Sequence, residues 1–177
     1  GNNGVNWLRN FLEEKSAHVI AVCDVNEISD GYWENTVRGR KVARSIVNEH
    51  YSSLVKGSYS GCDAYEDFRH VLDRPDIDAV YIGTPDHWHS VIAVAAAKAG
   101  KDIYCEKPLT WSLGEGQAVV KAVRENKRVF QTGSMQRSGG QFKKACELVR
   151  NGYLGDIKRI LVALPDFGNA IWVDEFP

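Results

Sequence analysis

The stretch GNNGVNWLRNFLEEKSAHVIAVCD, Gly1 to Asp24, decides how the rest of the chain is read. It opens on a turn with two glycines, Gly1-Asn2-Asn3-Gly4. A helical pattern follows over 3–14, then an apolar strand over 18–24 that ends in a carboxylate. Glycine lets another group approach bare backbone, and a helix start offers unpaired N–H groups and a positive dipole end. Asp24 stands twenty residues beyond Gly4.

Strand, glycine turn, helix, then a strand with a terminal acid about twenty residues on is the dinucleotide-binding fingerprint. Gly1 and Gly4 fit its second and third glycines, the one admitting a pyrophosphate, the other letting helix and strand pack closely. Asp24 would accept the ribose hydroxyls of an adenosine. An ordinary glycine-rich turn is the alternative, and the clean strand ending in Asp24 weighs against it. Val25 and Asn26 follow Asp24. A 2′-phosphate would meet repulsion there and no adjacent cation, so NAD is expected rather than NADP. Nothing before Gly1 supplies the first glycine or the first strand, so the sequence reads as a fragment.

Working outward, short apolar runs alternate with helical periodicity, the pattern of a parallel sheet covered by helices. Strands are expected at 78–83, 101–105, 128–132 and 157–164, with a weaker one at 61–65. Their Val, Ile and Tyr content with little polar alternation suits strands buried on both faces. Helices are expected at 34–51, 66–72, 89–99, 112–126 and 140–150. Ser112 with Glu115 forms a capping box, and Gly100 is a helix stop. The segment 26–61 reads as a helix plus a surface insertion. The pattern changes at 151–156, a candidate domain boundary. The fold class is α/β: a Rossmann-type doubly wound parallel sheet lacking its first strand, followed by the start of a second α/β domain.

Composition bounds the function. The 177 residues are 44% hydrophobic, enough for one ordinary domain and the start of another. Net charge is −1 with no basic stripe, so nucleic acid is not an expected partner. No apolar run is long enough for a membrane span. A cytoplasmic setting is expected, and export stays open because any leader would lie upstream. Cys23, Cys62, Cys105 and Cys146 are widely spaced without a CxxC pair and read as buried free thiols. Disulfides or a metal site are the alternatives.

Two further constellations follow strands, where ligands bind in open α/β sheets. Thr84-Pro85-Asp86-His87-Trp88-His89 follows DAVYIG, and its histidines either line a cofactor cleft or lie on the surface behind an Asp86 helix cap. His87 and His89 have no third ligand nearby in sequence, so no metal is expected. Glu106-Lys107-Pro108 follows KDIYC. Proline holds Lys107 in extended geometry, and the bond between them is a candidate cis peptide. Lys107 either holds a substrate hydroxyl and eases its deprotonation, or simply pairs with Glu106.

The turn GNNG, the loop TPDHWH and the motif EKPLT, in this order, resemble the Gfo/Idh/MocA family: glucose–fructose oxidoreductase, inositol dehydrogenase and relatives. The stretch QTGSMQRSGGQFKKACELVRNGYLGDIKRI is similar to that family's link into its second domain. The resemblance implies NAD-dependent hydride transfer at a hydroxyl-bearing carbon of a sugar, cyclitol or derivative. It assigns residues 1–132 to the nucleotide-binding domain and 133–177 to a linking helix and the first strand of a substrate and oligomerisation domain. Gly1, Asn2, Asn3 and Gly4 would meet the pyrophosphate and Asp24 the ribose. Thr84, Pro85, His87 and His89 would line the cofactor. Glu106 and Lys107 would sit by nicotinamide and substrate, with Lys107 catalytic and Arg137 on the same side. The family's second-domain acid/base histidine has no match here, and Asp166, Asp174 and Glu175 do not replace it. The partners implied are a carbohydrate-like small molecule and, in the full-length protein, further copies of itself. An NAD-dependent glycoside hydrolase and a non-catalytic cofactor-binding protein are the alternative functions.

Overall fold

Helix α1, Asn2–Glu13, forms because Val5, Leu8 and Leu12 fall on one helical face, and all three are buried. The computed structural model of the chain describes residues 2–30, 36–165 and 170–173. These fall into two compact units, Gly1–Gly133 and Ser134–Pro177.

In the first unit α1 turns through Glu14–Ala17 into strand β1, Ala21–Cys23, which pairs in parallel with β2, Asp63–Tyr65. The ordered ladder is shorter than the apolar run 18–24. Helix α2, Arg40–Leu54, buries Val47 and Tyr51 against Leu8, Leu12 and Cys62. The Tyr51 hydroxyl accepts the Val19 N–H at 2.8 Å, fixing the chain just before β1.

The helix expected over 34–51 begins later, at Arg40. Ser29 and Arg38 exchange two backbone hydrogen bonds of 2.8 Å, and this bridge holds the incoming chain extended. Gly39 then turns with φ 125°, where a Cβ would lie 2.6 Å from the Glu27 carbonyl oxygen. The carbonyls of Asn26 and Glu27 accept the Arg40 and Lys41 N–H groups and satisfy the helix start.

A short helix α3, Phe68–Leu72, capped by Asp67, leads to a three-stranded parallel sheet. Its strands are β3, Ala79–Ile82, β4, Asp102–Glu106, and β5, Phe130–Gly133, in that order across the sheet. Helices α4, Asp86–Lys98, and α5, Leu113–Glu125, make the crossovers. Ser112 accepts the Glu115 N–H, as expected of the capping box, but the Glu115 carboxylate reaches back to the Trp111 N–H.

The two sheet faces are dressed differently because side chains alternate along a strand. Ile82, Ile103 and Cys105 point into the core with Ile92, Ala93, Ala96 and Ala97 of α4 and Val119 and Ala122 of α5. Tyr81 and Tyr104, adjacent in register, are covered by Trp7 and Phe11 of α1, with ring centroids 5.6–6.4 Å apart. Buried Lys101 donates from Nζ to the carbonyls of Arg74 and Ile77, tying the entry of β4 to the loop before β3.

The second unit holds a 3-10 turn, Met135–Ser138, helix α6, Gly140–Arg150, and an antiparallel hairpin of β6, Val162–Pro165, and β7, Ala170–Val173. The strand expected over 157–164 starts only at Val162, and residues 157–161 are exposed. The turn at 151–156 lies inside this unit. Among the described residues no helix is long and apolar enough to cross a membrane.

The alanines of α4 set how closely it can approach the sheet. Ala96 is fully buried, so Ala96→Leu overfills the core and should cost about 1–3 kcal/mol. The same change at exposed Ala118 should stay within about 0.5 kcal/mol. Urea denaturation of the two variants measures the difference.

Candidate functional site

The site residues lie in turns that follow parallel strands and in the first turns of helices. Asn2, Asn3 and Gly4 form the first turn of α1, where backbone N–H groups have no partner within the helix. No acidic side chain occupies that turn. Gly1 lies outside the described residues. A Cβ on Gly4 would meet nothing within 4 Å among the described residues.

Asp24 closes β1. Its N–H donates to the Tyr65 carbonyl at 3.1 Å, and its carboxylate accepts the Asn26 N–H at 2.9 Å. The expectation that no cation stands beside it is corrected. Arg40, distant in sequence, donates from Nη1 to the carbonyls of Asp24 (3.3 Å) and Val25 (3.0 Å), and from Nη2 to Glu66 at 3.3 Å. Only the folding back of segment 26–39 brings the guanidinium there.

Thr84 and Pro85 form the turn after β3. Helix α4 starts at Asp86, earlier than the expected 89–99, with Pro85 rather than Asp86 as its N-cap. His87 and Trp88 are exposed on its first turn. His89 is different: it is 1% exposed. Its Nδ1 lies 2.7 Å from the Pro108 carbonyl oxygen and its Nε2 2.9 Å from that of Thr84. His89, expected to line the cofactor, is instead enclosed with a backbone carbonyl oxygen at each ring nitrogen.

At the tip of β4 the alternation of side chains separates two neighbours. Glu106 turns in on the tyrosine face and is 2% exposed. Lys107 is exposed and has no hydrogen-bond or ion-pair partner among the described residues. The pairing of Glu106 with Lys107 therefore does not form. The Lys107–Pro108 peptide bond is cis. The Tyr81 hydroxyl donates to Glu106 Oε1 at 3.4 Å, while Oε2 has no partner among the described residues. Burial, then the charge of Glu106, pushes the Tyr81 and Tyr104 hydroxyls above the usual phenol range. The same two causes hold the Cys105 thiol at about 12. Tyr81 and Glu106 fit together because glycines flank them. A Cβ on Gly83 would meet the Tyr81 ring at 2.7 Å, and one on Gly133 the Glu106 carboxyl at 2.8 Å.

Tyr81, Gly83, Gly133 and Arg40 were not singled out from sequence. Strand alternation, with Tyr81 two residues from Gly83, was the signal available for the first pair. Arg137 lies exposed on the 3-10 turn of the second unit. Among the described cysteines Cys62 and Cys105 are buried, but Cys23 and Cys146 are exposed, unlike the expectation, and all four are free. No three His, Cys, Asp or Glu among the described residues group to hold a metal ion. The arrangement offers a helix start for an anion, a carboxylate at one strand tip, and an unshielded ammonium beside a buried carboxylate at another.

Residues 1–134 match a family model described as an oxidoreductase family with an NAD-binding Rossmann fold. The scyllo-inositol 2-dehydrogenase (NAD(+)) of Bacillus subtilis (strain 168) is 36% identical over 118 residues, 67% of this chain and 31% of that protein. The levoglucosan dehydrogenase of Pseudarthrobacter phenanthrenivorans is 40% identical over 91 residues, 51% of this chain and 23% of that protein. Among solved structures, scyllo-inositol dehydrogenase from Lactobacillus casei with bound NAD(H) and scyllo-inositol aligns with a TM-score of 0.67 and 22% identity, over 88% of this chain and 40% of that one. That likeness shows the fold. The chain spans 23–40% of the length of these relatives.

The contact between Gly133 and the enclosed Glu106 carboxyl should be measurable by a double-mutant cycle. Gly133→Ala is expected to cost about 1–3 kcal/mol in urea denaturation. In a Glu106→Ala background, where the obstructing carboxyl is gone, most of that cost should vanish.

Proposed function

Since the chain belongs to the Gfo/Idh/MocA oxidoreductase family, we propose that the full-length protein exchanges hydride between NAD and a hydroxyl-bearing carbon of a sugar, cyclitol or derivative. The observation that carries this reading is Lys107: an exposed ammonium without a protein partner, one residue beyond the tip of β4 and next to a cis proline. A lysine left unpaired at the ligand edge of a parallel sheet is available to a substrate. The cyclitol and anhydrosugar named for the relatives support a polyhydroxylated substrate class.

The residues present fit the cofactor. The first turn of α1 carries no acid to oppose a phosphate. Backbone N–H groups of Asn2, Asn3 and Gly4 would hold the pyrophosphate, completed by Gly1. Asp24, set by its hydrogen bond to Asn26, would take the adenosine ribose hydroxyls. Thr84, Pro85 and His87 would line the cofactor, and Glu106 would stand near the nicotinamide. When bound, NAD supplies the hydride acceptor.

The chain's own chemistry is then positioning and proton handling. Lys107 would hold the reacting hydroxyl oxygen and, as an ammonium, favour the negative charge that develops there as the proton passes to the second-domain acid/base histidine that the family resemblance implies for the full-length protein. Glu106, buried one residue earlier and hydrogen-bonded by Tyr81, anchors the backbone that carries Lys107.

Two outcomes test the reading in the full-length protein. Lys107→Met should lower turnover of the responsive polyol by about two to four orders of magnitude, with NAD affinity by calorimetry unchanged; unaltered turnover removes Lys107 from the mechanism. Asp24→Ser should weaken NAD by about tenfold or more and strengthen NADP, since it removes the repelling carboxylate and leaves Arg40 nearby. Tighter NADP binding with Asp24 intact would contradict the role given to that carboxylate.

A further inference from the structure

We propose that His89 is a positioning residue for this reaction: its imidazole buckles the turn after β3 to the turn after β4 and so sets where Lys107 stands relative to Thr84 and Pro85. The inference rests on the proposed role of Lys107.

The ring is 1% exposed, and a buried polar ring is costly unless hydrogen-bonded. Its nitrogens face two carbonyl oxygens on different segments, Pro108 at 2.7 Å and Thr84 at 2.9 Å. A carbonyl oxygen only accepts, so each bond is donated by a ring N–H, and spanning both turns at once takes a proton on each nitrogen. The acceptors are not arbitrary backbone. Thr84 opens the turn leaving β3, and Pro108 directly follows Lys107 in the turn leaving β4, the neighbouring strand in the sheet. Side chains on a helix lean toward its N-terminus, so a residue on the first turn of α4 reaches back over the preceding turn. That accounts for Thr84. The partner at Pro108 is supplied by the parallel register that sets Ile82 beside Cys105 and brings the two strand tips level.

Histidine suits the task because its two nitrogens point away from each other from one rigid plane. An amide side chain carries both donor hydrogens on one nitrogen and cannot span two acceptors in this way. His87, two residues earlier, faces solvent and cannot replace it. With Thr84 and Pro108 held on one ring, the residue beside Pro108 is held too. Displacement of a reacting group by about 1 Å can cost about a hundredfold in rate.

The experiment uses the full-length protein with NAD and the polyol that it turns over. His89→Leu keeps an apolar buried volume and removes both bonds. It should lower kcat by about tenfold to a hundredfold while NAD affinity changes by less than about threefold. In a Lys107→Met background the same change should cause little further loss, because a residue acting through Lys107 has nothing left to position. Losses that multiply in the double variant, or an unchanged kcat in the single one, overturn the proposal. If Lys107→Met alone leaves turnover intact, it is the reading of Lys107 that fails. Should His89→Leu not fold, 15N NMR of the wild-type ring decides: N–H protons on both ring nitrogens, protected from exchange and coupled to the Thr84 and Pro108 carbonyls, are expected. A proton on one nitrogen alone, or a freely exchanging ring, overturns the buckle.

Discussion

Two consecutive side chains on an extended chain must leave the backbone on opposite sides. At the end of β4 that rule falls on Glu106 and Lys107. The carboxylate is carried in under the aromatic layer of Tyr81 and Tyr104, and the ammonium is carried out to the surface. Had they been free to turn toward each other, they would have neutralised one another as an ordinary surface ion pair. Their separation leaves one charge to organise the backbone and the other available to a ligand.

The rest of the first unit keeps that strand end in place. The parallel register places Glu106 opposite Gly133, and the bare glycine makes room for the carboxyl. Gly83 does the same for the Tyr81 ring. On the other face the small side chains of α4 bring that helix close to the sheet, which puts His89 within reach of both turns. Core packing and site geometry are thus one arrangement.

At the other strand tip, Asp24 shows how a charge environment depends on chain path. The residues beside it in sequence are uncharged, but the bridge between Ser29 and Arg38 and the turn at Gly39 bring Arg40 to its carbonyl. The guanidinium is engaged on backbone carbonyls and on Glu66, so it braces the loop that holds Asp24.

Hydrophobic periodicity and spacing alone determined the alternation of helices and strands, the glycine turn with its distant acid, and the TPDHWH and EKP motifs in their order. These are local signals: a period of two or 3.6 residues, a proline after a lysine, a serine three residues before a glutamate. Tertiary structure decided what depends on contacts between distant segments. It set the late start of α2, the arrival of Arg40 at Asp24 and the tyrosine that meets Glu106. It also enclosed His89, a cofactor-lining candidate, between the Thr84 and Pro108 carbonyls. A side chain's neighbours across a sheet are set by register and packing, and neither is written in the order of residues along one strand.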